Sequence, residues 1–308
     1  MGHQILRRFI GFSVRLDAKL DDKTCRPSSG KASRKMIANL SVAPRFTLER
    51  HQLAQVICQV RFSPVLRLHQ QEEVAPFQEE VRARYSGFVL EPAVALIITP
   101  QGVVQQDSGT KNYRFVDLNA GVVLVLGVDF VAIETREYVA IEDVIERTRD
   151  AVSLVERFYS PAQRTRLGLR FTNELRFESG NLHTQVREAL NPQLLGPLGD
   201  PDVASAVETT QSVIHLRTEA GNMLQVIHGL NPQGGTTVLP MPGATPPRVP
   251  QEPFYLLDFD AYASDPVPLS ADAVADQVMV FNDQIRTLFA WSATAEYRNN
   301  VLGQRDLT

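Results

Sequence analysis

Asp258-Phe259-Asp260 puts two carboxylates two residues apart in a stretch that alternates like a β-strand, so both point to one face. There they could coordinate Mg²⁺ or share a proton, which makes them the best metal or catalytic candidates in the chain. The competing reading turns Tyr255, Leu257 and Phe259 inward and leaves the acids to pair with an arginine of a neighbouring strand, and alternation favours it. Glu174, Glu134 and Asp129 are further acids, but no spacing ties them to a two-metal site. Arg164, Arg166 and Arg170 fall on one face of a second strand-like segment, with Leu167, Leu169 and Phe171 on the other. Arg166 and Arg170 could grip a carboxylate or phosphate bidentately, or neutralise Asp258, Asp260 and Glu134 across the sheet. Arg61 occupies the matching place in an earlier strand.

Other chemistries find little support. No Gly-x-Ser-x-Gly is present, and of six histidines only His215 and His228 fall in the β-rich core. His228 is the more interesting, because it precedes a Pro/Gly-rich stretch, and with Asn173 it completes the candidate ligand set Arg166, Arg170, Asn173 and His228. Gly234-Gly235-Thr236-Thr237 lacks the lysine and following helix of a phosphate loop. Two cysteines, Cys25 and Cys58, give neither a disulfide framework nor metal-ligand spacing, and Cys58 reads as a core thiol. No cofactor is expected.

The elements that position these residues can be read from periodicity. A first strand covering 56–62 ends at Ser63-Pro64, and Val74, Phe77, Gln78, Val81 and Tyr85 then fall at helical spacing, with Pro76 placed in the first turn. Segments 94–99, 113–118, 122–126 and 130–135 are β-rich and separated by Gly102, Gly109, Asn119-Ala120-Gly121 and Gly127-Val128-Asp129, spacing that favours antiparallel hairpins. Ile141, Val144, Ile145, Thr148, Val152, Val155 and Tyr159 form a helical stripe ending before Pro161. A strand at 166–175, a helix near 182–190, a hairpin through Gly221-Asn222 and a strand at 254–259 follow. The last helix carries Val274, Val278, Phe281, Ile285, Leu288 and Phe289 on one face, with Ser270 as N-cap.

The same pattern thus occurs twice. Residues 56–62 return as 166–171 and residues 130–138 as 254–262, at offsets of 109 and 124 residues. The stretch 231–253, with seven prolines and three glycines, accommodates the difference as a surface loop or flap.

Net charge is −4, but residues 1–36 carry +6, which leaves −10 for the remainder. The acidic body repels phosphate backbones, so nucleic acid could be engaged only through the basic arm at 1–36, which reads as a disordered appendage, with Met36 as a second candidate start. Apolar residues at 44%, charged residues at 21% and the lack of an eighteen-residue apolar run point to a cytoplasmic globular protein with no membrane contact.

Four pieces of the chain resemble a sporadically distributed bacterial family that is defined by sequence conservation and has no established function. They are Val56-Ile57-Cys58-Gln59-Val60-Arg61-Phe62, Thr165-Arg166-Leu167-Gly168-Leu169-Arg170-Phe171-Thr172-Asn173, Leu256-Leu257-Asp258-Phe259-Asp260, and Phe289-Ala290-Trp291-Ser292-Ala293-Thr294. The resemblance runs from about Leu48 to the C-terminus and leaves 1–36 outside it. Similar proteins end the middle piece in Asn-Arg, whereas Glu174 follows Asn173 here. The resemblance supports the architecture and implies no activity; sporadic occurrence is compatible with a mobile or anti-phage locus.

The expectation is therefore an α+β protein of two pseudo-repeated β-α-β-β-β-α halves, mainly antiparallel sheet with helices on one face. A single domain would cover 37–308, with halves at about 48–162 and 163–308 and a flap at 231–253. The halves would form a cleft in which the flap and the arginine row recognise a small anionic ligand or a partner protein. The alternative is a metal-dependent phosphoesterase or nuclease using Asp258 and Asp260.

Overall fold

The computed structural model describes residues 35–37, 39–99, 102–238 and 250–307. Residues 1–34, most of the basic arm, and 239–249, the middle of the Pro/Gly stretch, lie outside them. The first strands are β1 (Lys35–Ile37), β2 (Leu40–Ser41) and β3 (Phe46–Leu48), followed by the long β4 (Leu53–Phe62). Helix α1 (Gln71–Val81) leads into β5 (Gly87–Thr99), β6 (Gly102–Asp117), β7 (Val122–Leu126) and β8 (Phe130–Thr135), and α2 (Ile141–Tyr159) closes the first half. Then come β9 (Arg164–Arg176), the short helices α3 (Leu182–Ala189), α4 (Pro192–Leu195) and α5 (Pro201–Ala204), and β10 (Ser212–Arg217). Strands β11 (Met223–Asn231) and β12 (Phe254–Ala263), helix α6 (Ala271–Ser292) and β13 (Gln304–Asp306) complete the chain.

Nine strands form one sheet in the order β10-β11-β12-β9-β4-β8-β7-β6-β5, and every neighbouring pair in it is antiparallel. Strand alternation decides which face is apolar. Val56, Cys58, Val60 and Phe62 of β4, Leu167 and Leu169 of β9, and Leu257, Phe259 and Ala261 of β12 enter the main core. Helices α2 and α6 lie on this face and pack against each other and against β4, β8, β9 and β12. Cys58 is wholly buried, and burial pushes its thiol up to about 12. The opposite face carries a small separate apolar cluster of Val116, Val123, Val125 and Ala132.

Local signals explain the ends of the elements. Ser270 caps α6 by accepting from the Ala273 amide, and α2 ends where Ser160 turns left-handed at φ 45°, its amide reaching Val155 and Glu156 carbonyls. Gly121 (φ 62°) makes the β6–β7 turn, whose amides at Asn119 and Ala120 donate to Asp117 Oδ1.

Four details differ from the sequence expectation. The first half places four strands, β5 to β8, between α1 and α2 where the β-α-β-β-β-α pattern has three, the number that β10 to β12 supply before α6. Gly109 does not end a strand: it lies inside the sixteen-residue β6, at the register shift between Pro92↔Lys111 and Val94↔Asp107, where the β5–β6 ladder bulges and then resumes. Pro76 sits inside α1 rather than in its first turn, exposed to solvent. The two halves also leave no gap in the sheet between them, since β4 and β9 hydrogen-bond side by side from Leu53↔Asn173 to Phe62↔Arg164. Among the described residues no helix is long and apolar enough to cross a membrane.

Candidate functional site

The row of charged residues lies on the sheet face away from α2 and α6. Asp260 faces Arg170, and Asp258 faces Thr172, across the β12–β9 ladder. Arg170 grips Asp258 with both arms of its guanidinium, Nε to Oδ1 at 2.8 Å and Nη2 to Oδ2 at 2.5 Å, and Thr172 Oγ1 adds a contact to Oδ1 at 3.4 Å. Arg166 donates to Asp260 Oδ2 at 2.8 Å and lies over the Tyr262 ring. A Cβ at Gly168 would stand 2.5 Å from Arg166 Nη1, so the missing side chain makes the bed along which Arg166 reaches Asp260. Burial holds the Asp260 carboxyl above its usual range, with Arg166 and Arg170 opposing the shift.

These contacts define what Asp258 and Asp260 can do. A divalent ion at the pair would have to displace both guanidinium groups, and among the described residues no group of three or more His, Cys, Asp or Glu side chains is placed to hold one. Arg164 leaves the row altogether. A bulge opposite Arg61–Phe62 sets it across from the core residue Phe62, and it is buried to 8% exposure. Farther along β9, Glu174 accepts from Thr236 Oγ1, the Thr237 amide and Thr237 Oγ1, and pairs with Arg176. The described start of the Pro/Gly stretch is therefore tied to β9 by one buried carboxylate.

Asn173 and His228 stand on the other face. Both pair across Leu257, so they occupy one row with a single strand between them. His228 is buried, and its Nδ1 lies 2.8 Å from the Tyr255 hydroxyl, which approaches Leu194 O at 3.5 Å. Burial lowers its pKa. Asn173 donates from Nδ2 to Leu257 O at 3.0 Å, while its Oδ1 accepts no hydrogen bond among the described residues. The four candidate ligand residues thus divide, Arg166 and Arg170 on one face and Asn173 and His228 on the other, and do not converge on one ligand.

What the structure adds is a pocket around Asn173. Its volume is about 270 Å³, and it lies between the end of β9, the start of α2, the middle of α6 and the Arg45–Leu48 segment. Phe46, Leu48, Leu53, Phe171, Ile285 and Phe289 supply apolar wall. Arg45, His51, Tyr138, Asn282 and Arg286 add polar groups. Arg286 is held by Asp283 at 2.8 Å and by Ala43 O, and Arg45 reaches Glu142 at 3.5 Å. Tyr138 meets Phe171 edge-on at 5.4 Å, and burial raises its phenol pKa, so it stays protonated and able to donate. Exposed Val139 and Leu307 also line the pocket.

Sequence reasoning singled out Asn173 and missed the other lining residues, which come from five separated segments. One signal was legible: Ala140 precedes a long amphipathic helix where a Ser, Thr, Asp or Asn cap is usual. No protein-family model matches the chain, and no curated protein matches it.

Proposed function

We propose that this protein is a binding module whose ligand occupies the pocket bounded by β9, α2, α6 and the Arg45–Leu48 segment. One observation carries the reading: an apolar-walled pocket of about 270 Å³, open to solvent, with the polar groups of Asn173, Tyr138 and Asn282 in its lining. The Arg166–Asp260 and Arg170–Asp258 pairs support a structural role for the charged row, because each arginine already has its carboxylate.

The arrangement of the sheet also supports an origin by duplication. In each half the last strand (β8, β12) lies beside the first (β4, β9), and a long helix follows. The alignment of the closing strands needs revision on this reading. Arg61 faces Phe130, while Arg170, its counterpart at the 109-residue offset, faces Asp260, six residues beyond the Phe254 chosen from sequence similarity.

Native mass spectrometry of the protein purified gently from its own host tests the binding role, with Asn282→Trp as the comparison. Asn282 is half-buried, lines the pocket and makes no hydrogen bond among the described residues, so the indole fills the cavity without removing a structural contact. A small organic molecule retained by the wild type and absent from Asn282→Trp is expected. A wild-type spectrum without such a molecule, or one unchanged by the substitution, refutes the pocket as the site; a stoichiometric protein partner in its place moves the role to protein recognition.

A further inference from the structure

Strand β10 ends the nine-stranded sheet, and among the described residues nothing pairs with its free side. The Thr218 amide donates to Asn222 O and the Thr210 amide to Leu230 O, in the register that joins β10 to β11. In an antiparallel ladder the N–H and C=O of one residue point the same way and successive residues alternate, so the even-numbered residues serve β11. The main-chain groups of Val213, His215 and Arg217 therefore face outward. Ile214 and Leu216 pack against the main core yet stay partly exposed, and Val213, on the other face, is 50% exposed.

Folded proteins protect such an edge, and the other end of this sheet shows how. Strand β5 carries the exposed Glu91 and Pro92, which has no N–H, and its register shifts between Pro92 and Val94. None of these devices occurs in β10. Ser212 to Arg217 include no proline, lysine or acid, and the register with β11 is unbroken.

The limits of the edge select its occupant. Ahead of β10 the chain folds over the sheet, where a Cβ at Gly229 would collide with Thr210 O, so the outward groups run from Val213 to Arg217 and centre on His215. Two copies related by a twofold axis at His215 use all of them. Val213 then bonds Arg217 of the second copy, His215 bonds His215, and Ile214 stands opposite Leu216 in the closer, non-hydrogen-bonded kind of pair. Pairing β10 with β5 of another copy would meet Pro92 and run on head to tail, whereas pairing the edge with itself closes and leaves only the protected edges exposed. We propose that β10 is a dimerisation edge, on which a second copy of this chain adds its own β10 antiparallel about His215 and joins the two sheets into one.

Sedimentation velocity of the full chain from low to high micromolar concentration tests this, because strands this short make a small, weak interface. A monomer–dimer equilibrium is expected, with the amides of Val213, His215 and Arg217 exchanging more slowly as the dimer forms. Val213→Lys sets a lysine against Arg217 at two symmetric places and is expected to weaken the dimer about tenfold. Adding Arg217→Glu turns both places into opposite-charge pairs and is expected to restore it. Both side chains are exposed in the monomer, so the variants should keep the wild-type melting temperature. A monomer at every concentration overturns the proposal, and a strand of another protein is then the occupant to seek. A dimer that Val213→Lys does not weaken, or that the charge swap does not restore, overturns it as well.

Discussion

Replacing Arg170 by Met tests whether the charged row belongs to the fold or is available to a ligand. The substitution removes both guanidinium contacts to Asp258 and leaves a carboxylate with a 4% exposed side chain holding only Thr172 Oγ1 at 3.4 Å. Removing one partner of a buried pair costs about 3–5 kcal/mol, because the surviving charge is neither solvated nor compensated. Arg170 itself is 34% exposed and partly solvated, which places the expected loss near the lower end, about 3 kcal/mol. That is a large share of the roughly 5–15 kcal/mol that stabilises a domain, and denaturant titration followed by circular dichroism resolves it. Changing both partners, Arg170→Met with Asp258→Leu, is expected to return stability to within about 1 kcal/mol of wild type. A single substitution costing under about 1 kcal/mol at neutral pH refutes the reasoning, and Arg170 would then be free to grip an anion.

The histidine in the core gives a pH dependence of known sign. Burial lowers the pKa of His228, so below the unfolded value of about 6.5 the unfolded chain binds a proton that the folded protein refuses, and stability is lost as pH falls from there toward the folded pKa. Relative to His228→Gln, wild type should lose up to about 1.4 kcal/mol per pH unit in that window, and parallel stability curves would contradict this. Gly168→Ala and Arg166→Gln should each cost about 1 kcal/mol or less and should be sub-additive, because the added Cβ displaces the same guanidinium that the second change deletes; additive losses in a double-mutant cycle would show that Arg166 does not depend on the glycine.

Much of the fold was legible in the sequence because its signals are local. Alternation turned Leu167, Leu169 and Phe171 inward, the 3.6-residue stripe delimited α2, and Ser270 announced α6. The same alternation put Arg166, Arg170, Asp258 and Asp260 on one face. Strand pairing was not local: only the β9–β12 register joins Arg170 to Asp258, and only the β4–β9 ladder merges the halves into one sheet. A single bulge opposite Arg61–Phe62 was enough to carry Arg164 out of its row. The pocket lay further from sequence reasoning. Asn173 is an ordinary strand residue until α2, α6 and the Arg45–Leu48 segment, separated from it and from one another in the chain, converge on it. Periodicity determines which way each side chain points along its own element; which elements meet, and what space they leave between them, is decided by long-range packing, and that is where this protein keeps its candidate site.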